Sequence, residues 1–157
     1  MNTIEIPGRQ SYRLTSVILD LNGTIAIGGE VIPGVAERIH ALQAAGVTCY
    51  LLTADTRGRG AATAAALGAV LQLVDRGSEA IQKAAFVRRI GAEQAFAVGN
   101  GVNDVGMLRA AAIGVAVLQA EGTAAAALQA ADLVVPDINA ALDLLLDPQR
   151  LIATLRT

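Results

Sequence analysis

Residues 17–24 have the sequence Val-Ile-Leu-Asp-Leu-Asn-Gly-Thr, an apolar run that ends in a carboxylate and then turns through Asn-Gly. The run is short and rich in branched residues, so we predict a buried strand. A carboxylate at the end of such a strand costs free energy unless it is paired or functional. Ligands of open α/β sheets bind at the carboxyl ends of strands, so Asp20 is the first candidate for chemistry. The same residue types also suit an ordinary strand-to-turn junction.

Length and composition indicate a compact globular chain. The 157 residues predict one domain, 1–157, with a sizeable core, and a content of 54% hydrophobic and 17% charged residues excludes disorder. The net charge of −2 and the 3% aromatic content argue against a nucleic-acid binder. Cys49, the only cysteine, is expected in the core. We find no signal-peptide pattern and no apolar run of about 18 residues, so we expect a cytoplasmic protein without membrane partners.

Strand and helix patterns alternate along the chain. Hairpins are predicted within residues 1–16 and, around Gly28-Gly29, over residues 25–32. Further strands are predicted over residues 47–52, 70–74, 95–98, 113–118 and 133–135. Helices are predicted over residues 34–45, 57–67, 78–90, 123–130, 138–146 and 149–155, with another that ends near residue 110. This alternation predicts a parallel sheet covered by helices on both faces.

Polar residues follow four of the predicted strands. They are Asp20, Thr53, the turn at residues 75–79, and the Gly-Asn-Gly-Val-Asn-Asp stretch at residues 99–104. In a doubly wound sheet these strand ends lie along one edge, so the residues are expected to meet. Lys83, the only lysine, is in the helix after the 75–79 turn. An ordinary surface lysine is the alternative there, as a Gly/Asn loop is for residues 99–104.

These pieces, in this order, resemble the haloacid-dehalogenase (HAD) superfamily of phosphatases and phosphotransferases. Residues 20–24 match its first motif, Asp-x-Asp-Gly-Thr, and residues 51–55 match the second, an apolar strand ending in Thr or Ser. Lys83 matches the third motif and residues 99–104 the fourth. The resemblance is nearest to the phosphorylation domain of P-type ATPases and its free-standing soluble relatives. They share the last loop and a non-acidic residue two places after the nucleophile.

The resemblance implies both a fold and an activity. The implied fold is a three-layer αβα, doubly wound, mainly parallel Rossmann-like sheet without a cap domain, in which the 25–32 hairpin is a small flap. The implied activity is Mg²⁺-dependent hydrolysis of phosphoric monoesters or acyl phosphates, or phosphoryl transfer, through an aspartyl phosphate at Asp20.

The resemblance also implies a role for each residue of the site. The catalytic residues are Asp20, Asn22, Thr53 and Lys83. The substrate-binding residues are Asn22, Gly23, Thr53, Ala54, Lys83 and Asn103. The magnesium ligands are Asp20, the main-chain carbonyl of Asn22, Asn100 and Asp104, all of them oxygen donors.

Two asparagines depart from the commonest pattern of the superfamily. Asn22 occupies the place of the general acid–base aspartate, and an amide cannot transfer a proton in that role. Poor leaving groups are therefore expected to react about 10²–10⁴-fold more slowly. Asn100 occupies the place of a second aspartate, which lowers the expected metal affinity. A catalytically degenerate binding or regulatory protein is the alternative function.

The spacing between motifs bears on the substrate and partners. Between Asp20 and Thr53 there is room for a hairpin and one helix but not for a cap domain, so we expect an open site. It would accept a small phosphorylated substrate or a phosphoprotein, or be covered by a homo-oligomer. A dinucleotide-binding module is a further alternative, but Asp104 stands at its third glycine position. Arg57 and Arg59 either guide an anionic substrate or are a solvated helix start.

Overall fold

The computed structural model describes residues 3–55 and 57–157. The strands are β1 (Ser16–Asp20), β2 (Ala26–Ile27), β3 (Glu30–Val31), β4 (Thr48–Thr53), β5 (Val70–Leu73), β6 (Ala95–Gly99), β7 (Ile113–Val117) and β8 (Leu133–Val135). The α-helices are α1 (Val35–Ala44), α2 (Arg59–Leu67), α3 (Glu79–Ile90), α4 (Val105–Ala110), α5 (Ala125–Ala130), α6 (Ile138–Leu146) and α7 (Pro148–Leu155). Among the described helices, none combines the length and the apolar character needed to cross a bilayer.

A parallel six-stranded sheet in the order β5-β4-β1-β6-β7-β8 forms the centre of the fold. Strand β1 pairs with β4 on one side and with β6 on the other, and both pairings are parallel. Each crossover between these strands passes through a helix, as parallel pairing requires. The predicted doubly wound α/β fold is confirmed, and the carboxyl ends of the central strands lie at one edge.

The sheet separates two hydrophobic clusters. Val17 and Leu19 of β1 belong to one cluster and Ile18 to the other, because successive side chains of a strand point to opposite faces. Helices α1, α2, α6 and α7 pack on the first face, and α3, α4 and α5 on the second. All five residues of β1 are buried, as expected for a strand that is covered on both faces. Cys49 is a buried core residue, as predicted.

The two predicted hairpins are built differently. Strands β2 and β3 pair antiparallel around Gly28 and Gly29, whose φ values of 60° and 87° suit a tight primed turn. The predicted hairpin within residues 1–16 is only a single antiparallel bridge between Ile4 and Tyr12, both buried. Pro7 lacks an amide donor, so the ladder cannot continue through it. Residues 1 and 2 of that prediction lie outside the described residues.

Gly106 permits a close crossing of α4 over α3, the helix that carries Lys83. A Cβ at Gly106 would lie 2.5 Å from the Ala80 carbonyl oxygen and 3.0 Å from the Ala84 Cβ. Overpacking costs about 1–3 kcal/mol and is partly offset by the better helix propensity of alanine, about 1 kcal/mol. The nearest atom is a backbone oxygen that cannot move aside, so the upper part of the overpacking range applies. We therefore expect Gly106→Ala to lower the free energy of unfolding in urea by about 1–2 kcal/mol.

The control for this prediction is Ala85→Ser, which changes an exposed residue of α3. We expect it to change the free energy of unfolding by less than about 0.5 kcal/mol. An unchanged unfolding midpoint for Gly106→Ala would contradict the close crossing of the two helices.

Candidate active site

The carboxyl edge of the sheet brings most of the predicted site residues into one cleft. Strand β1 ends at Asp20, which is in register with Leu52, the residue before Thr53 in β4. The loop after β6 brings residues 100–103 to the same edge. The cleft has a volume of about 450 Å³ and is lined by Asp20, Asn22, Thr53, Ala54, Asp55, Arg57, Arg59, Arg76, Lys83, Asn100, Gly101 and Asn103.

Lys83 forms the electrostatic centre of this cleft. Its Nζ donates to Asp20 Oδ1 at 2.6 Å and to Asp104 Oδ1 at 2.7 Å. The side chains of Lys83, Asp20 and Asp104 are 1%, 8% and 0% exposed, so little water screens the three charges. The ordinary surface lysine that was the alternative is excluded. Two carboxylates share one ammonium group, which leaves a net negative charge when all three groups are ionised.

This sharing changes the protonation of the three groups. Burial and the Asp104 carboxylate raise the pKa of Asp20 to about 7, although Lys83 acts in the opposite direction. Burial alone would lower the pKa of Lys83, but Asp20 and Asp104 together raise it above its usual value. Lys83 therefore stays charged at neutral pH, while the Asp20 carboxyl group titrates near pH 7.

The raised pKa of Asp20 predicts a pH dependence of stability. Between its ordinary pKa of 3.8 and about 7, the folded protein holds a proton that the unfolded chain has lost. The free energy of unfolding therefore falls as pH rises through this window. The Asp20→Asn variant has no carboxyl group at this position, so its free energy of unfolding does not fall in this way. Its stability relative to the parent is therefore expected to increase by about 1–4 kcal/mol from pH 4 to pH 7.

Urea unfolding of both proteins at several pH values measures this difference. The Asp147→Asn variant, which changes a half-exposed surface carboxylate, serves as the control and is expected to show no such trend. A difference between Asp20→Asn and the parent that stays constant across the window would contradict the raised pKa.

Asp104 is bonded on both of its carboxylate oxygens. Oδ1 accepts from Lys83, and Oδ2 accepts from the amides of Asn100 and Gly101 at 2.9 and 3.0 Å. Gly99 accommodates this arrangement, since a Cβ there would lie 2.5 Å from the Asp104 carboxyl group. Asp104 thus holds the loop after β6 and positions Lys83. It does not line the cleft, and the sequence did not reveal this arrangement.

Carboxylate, hydroxyl and amide oxygens lie together beside Asp20. The hydroxyl of Thr24, a fully buried residue, lies 3.4 Å from Asp20 Oδ2 and 3.3 Å from Asn100 Oδ1. Among the described residues, no three His, Cys, Asp or Glu side chains are grouped for a metal. The oxygens here that could bind a cation are those of the Asp20 carboxylate and the Asn100 side-chain amide. Mg²⁺, which keeps several waters, accepts such a set.

Thr53 and the segment after it form the other wall of the cleft. The buried Thr53 hydroxyl accepts from the Asp55 amide at 3.1 Å. The Asp55 carboxylate accepts from the amides of Arg57 and Gly60 at 2.8 and 3.0 Å, and these hydrogen bonds lower the pKa of Asp55. Asp55 therefore fixes the entry to α2, a role that we did not assign from the sequence.

The loop between β7 and α5 packs against the first motif. Asn100 Nδ2 donates to the Gly122 carbonyl at 3.0 Å, and Gln119 Nε2 donates to the Thr24 carbonyl at 2.6 Å. Gly23 lies beside these groups, where a Cβ would be 2.6 Å from Asn100 Nδ2. The amide of Asn100 makes a donor contact that an aspartate could not make. Sequence reasoning missed this loop, which has neither periodicity nor a motif.

Comparisons with known proteins agree with this geometry. A family model described as haloacid dehalogenase-like hydrolase matches residues 3–112. An uncharacterized protein of Methanocaldococcus jannaschii is 42% identical over 90 residues, which are 53% of this chain and 97% of that protein. A protein of Streptomyces avermitilis assigned to the HAD hydrolases has 26% identity and a TM-score of 0.66, covering 82% of this chain and 81% of its own.

Two further solved structures share the fold. The cobalt-bound deoxy-D-mannose-octulosonate 8-phosphate phosphatase of Haemophilus influenzae has a TM-score of 0.73 at 18% identity, covering 92% of this chain and 94% of its own. The 3-deoxy-D-manno-octulosonate 8-phosphate phosphatase of Moraxella catarrhalis has a TM-score of 0.69 at 14% identity, covering 91% and 94%.

Proposed function

Because the chain belongs to the haloacid dehalogenase-like hydrolases, we propose that it is a Mg²⁺-dependent phosphatase or phosphotransferase with Asp20 as its nucleophile. The observation that carries this proposal is the Asp20 carboxylate in the cleft, with Oδ1 bonded to the buried Lys83 at 2.6 Å. Oδ2 makes a long contact of 3.4 Å with Thr24, which leaves this oxygen the better placed of the two to attack a phosphorus atom.

The proposed reaction has two steps. An Asp20 oxygen forms a bond to phosphorus while the bond from phosphorus to the leaving-group oxygen breaks, which gives an aspartyl phosphate. Water then attacks that phosphorus, and inorganic phosphate leaves with the Asp20 carboxylate restored. Asn22 cannot exchange the protons of either step, so the leaving group takes its proton from solvent. Acyl and aryl phosphates are the proposed substrates, because their carboxylate or phenolate groups leave readily as anions.

The other residues of the cleft are proposed to bind the phosphoryl group. The Thr53 hydroxyl, the Ala54 amide and the Asn103 side-chain amide supply hydrogen-bond donors. Gly23 stays a predicted binding residue, although its amide donates to the Ala26 carbonyl at 2.9 Å and it does not line the cleft. Lys83 is proposed to balance the negative charge that phosphate brings beside Asp20 and Asp104. This role is supported by its burial and its raised pKa. Most of the contribution of the protein is then positioning and neutralisation of charge.

Magnesium is the proposed cofactor, and the Moraxella structure contains a magnesium ion together with phosphate. Asp20, the Asn22 carbonyl and the Asn100 amide oxygen would hold the ion here. When bound, it supplies positive charge beside the phosphoryl oxygens. Asp104 stays a predicted ligand, although its two oxygens already accept three hydrogen bonds. We propose that it acts mainly by positioning Lys83.

A binding or regulatory protein without turnover is the second candidate function. Asn22 and Asn100 favour it, because they remove the acid–base group and one metal carboxylate from the pattern. The P-type-ATPase-like interpretation explains the same asparagines differently. There, the absence of a base next to the nucleophile gives a long-lived phosphoenzyme, so Asn22 is compatible with chemistry.

Phosphoenzyme formation separates these two functions. The purified protein is incubated with acetyl phosphate or an aryl phosphate, with and without Mg²⁺, and the modified residue is located by mass spectrometry. We expect Mg²⁺-dependent label on Asp20 and release of phosphate, both absent from Asp20→Asn and retained in Asp147→Asn, a variant of an exposed surface carboxylate. No label and no release from either substrate would favour the binding protein.

A further inference from the structure

Three arginines line the cleft in addition to the residues proposed to bind one phosphoryl group. Arg57 and Arg59 lie at the entry to α2, and Arg76 lies in the loop between β5 and α3. All three are exposed. They come from two parts of the chain and line the same cleft as Asp20, so three positive charges lie beside the proposed nucleophile.

These guanidinium groups are not neutralised by ion pairs. Within residues 3–55 and 57–157, side-chain ion pairs shorter than 4.0 Å involve only Arg38, Lys83 and Arg150 as cations. Among the described residues that line the cleft, Asp55 is the one carboxylate besides Asp20. Its oxygens accept from backbone amides, and its charge also interacts with Arg59 and Arg57, so it offsets one of the three guanidinium charges. The rim therefore has an excess of positive charge, in a chain whose formal net charge is −2.

The placement of two of the arginines opposes a general stability preference. Arg59 is the first residue of α2, and Arg57 precedes it by two residues. The N-terminus of a helix carries partial positive charge, so cations there are unfavourable and anions are favourable. The first turn of α2 contains no acidic residue, and the one carboxylate bonded at this end, Asp55, balances only one of the two arginines. Local sequence choices that oppose stability are expected at functional sites.

Resting on the proposed function, we propose that the substrate of the cleft carries a second anionic group, which Arg57, Arg59 and Arg76 bind. A guanidinium group matches the geometry of a carboxylate or a phosphate with two parallel hydrogen bonds. The volume of about 450 Å³ is far larger than one phosphoryl group needs and is typical of small-metabolite sites. The substrate class is thus a phosphorylated metabolite with a carboxylate or a further phosphate.

Binding of non-hydrolysable ligands tests this subsite without requiring turnover. Propylphosphonate, 3-phosphonopropionate and propane-1,3-bisphosphonate are titrated calorimetrically into the protein with Mg²⁺ in fixed excess. The latter two add a carboxylate or a second phosphonate. We expect at least one of them to bind about tenfold or more tightly than propylphosphonate, a gain that decreases with added salt.

The variants are the triple substitution Arg57→Gln, Arg59→Gln and Arg76→Gln, and the control Arg156→Gln, an exposed arginine outside the cleft lining. The affinity ratio is the affinity for the tighter of the two ligands with a second anionic group divided by the affinity for propylphosphonate. We expect this ratio to approach one in the triple variant and to stay at the parent value in the control. A larger gain from the carboxylate identifies a phosphorylated acid, and a larger gain from the second phosphonate identifies a bisphosphate.

Two results would overturn the subsite. One is a parent that binds the three ligands equally or not at all, and the other is a triple variant that keeps the parent ratio. Failure of the proposed function is a separate result, because it is the absence of label on Asp20. A missing label with a retained ratio overturns only the nucleophile, and a labelled Asp20 with a ratio near one overturns only the subsite.

Discussion

Replacing Lys83 by methionine is expected to destabilise the folded protein by about 3–5 kcal/mol at neutral pH. Methionine keeps most of the length of the side chain but removes the ammonium group that Asp20 and Asp104 share at 2.6 and 2.7 Å. Two nearly unexposed carboxyl groups would then lack a counter-charge, and Asp20 would have to hold a proton at neutral pH. The pKa of Asp20 would rise further, so its nucleophilic form would become rare and phosphoenzyme formation would be lost.

The pH dependence distinguishes this mechanism from simple loss of packing. The destabilisation is expected to be largest above pH 7 and to decrease as the pH falls, because a proton on Asp20 removes one of the two uncompensated charges. Arg88→Met, at an exposed position of the same helix, is the matched control and should change stability by less than about 0.5 kcal/mol. Equal loss of stability at pH 5 and pH 8 would contradict the electrostatic explanation. Lys83→Arg keeps the positive charge, so its loss of stability is expected to differ less between pH 5 and pH 8 than that of Lys83→Met.

Replacing Asn22 by aspartate is expected to raise phosphate release from alkyl phosphates by about 10²–10⁴-fold, or roughly 3–5 kcal/mol of barrier. Asn22 is exposed and lines the cleft with Asp20, so a carboxyl group there is solvated and costs little stability. It can protonate the leaving group and then activate the attacking water. The gain should be smaller for acyl and aryl phosphates, and the phosphoenzyme should have a shorter lifetime.

Asn103→Asp is the matched control for this prediction. Asn103 is an exposed asparagine that lines the same cleft, so the substitution adds the same charge at a second position. We expect no gain for alkyl phosphates, since Asn103 is assigned to binding and not to proton transfer. An equal gain from both variants, or no change in the ratio of alkyl to aryl activity in Asn22→Asp, would contradict an acid–base role at position 22.

The strands, most of the helices and the meeting of the motifs were predictable because local patterns determine them. The apolar run before Asp20 became β1, and the predicted strand over residues 133–135 coincides with β8. The parallel sheet then required the strand ends to meet at one edge. The predicted N-terminal hairpin was wrong in extent, because alternation of side chains indicates strand but does not supply a partner around Pro7.

Contacts that depend on three-dimensional proximity could not be predicted from the sequence. Nothing in the fourth motif shows that Asp104 is completely buried and bonded to Lys83. The contact of Asn100 with Gly122 joins residues 22 positions apart through a loop without regular structure. The place of Arg76 in the cleft depends on the turn before α3. Such contacts follow from the packing of the whole fold and leave no local pattern.

The burial of Lys83 also means that chemical modification of this residue reports local unfolding of the site around it. Within the 157 residues it is the only lysine, and its side chain is 1% exposed and bonded to two carboxylates. Reagents that modify primary amines, and proteases that cleave after lysine, therefore find no accessible lysine side chain in the folded state. Every internal acylation or lysine-specific cut records a molecule in which β1, α3 and the loop before α4 have separated. The rate of that reaction measures how often the carboxyl edge of the sheet unfolds locally, without an introduced label.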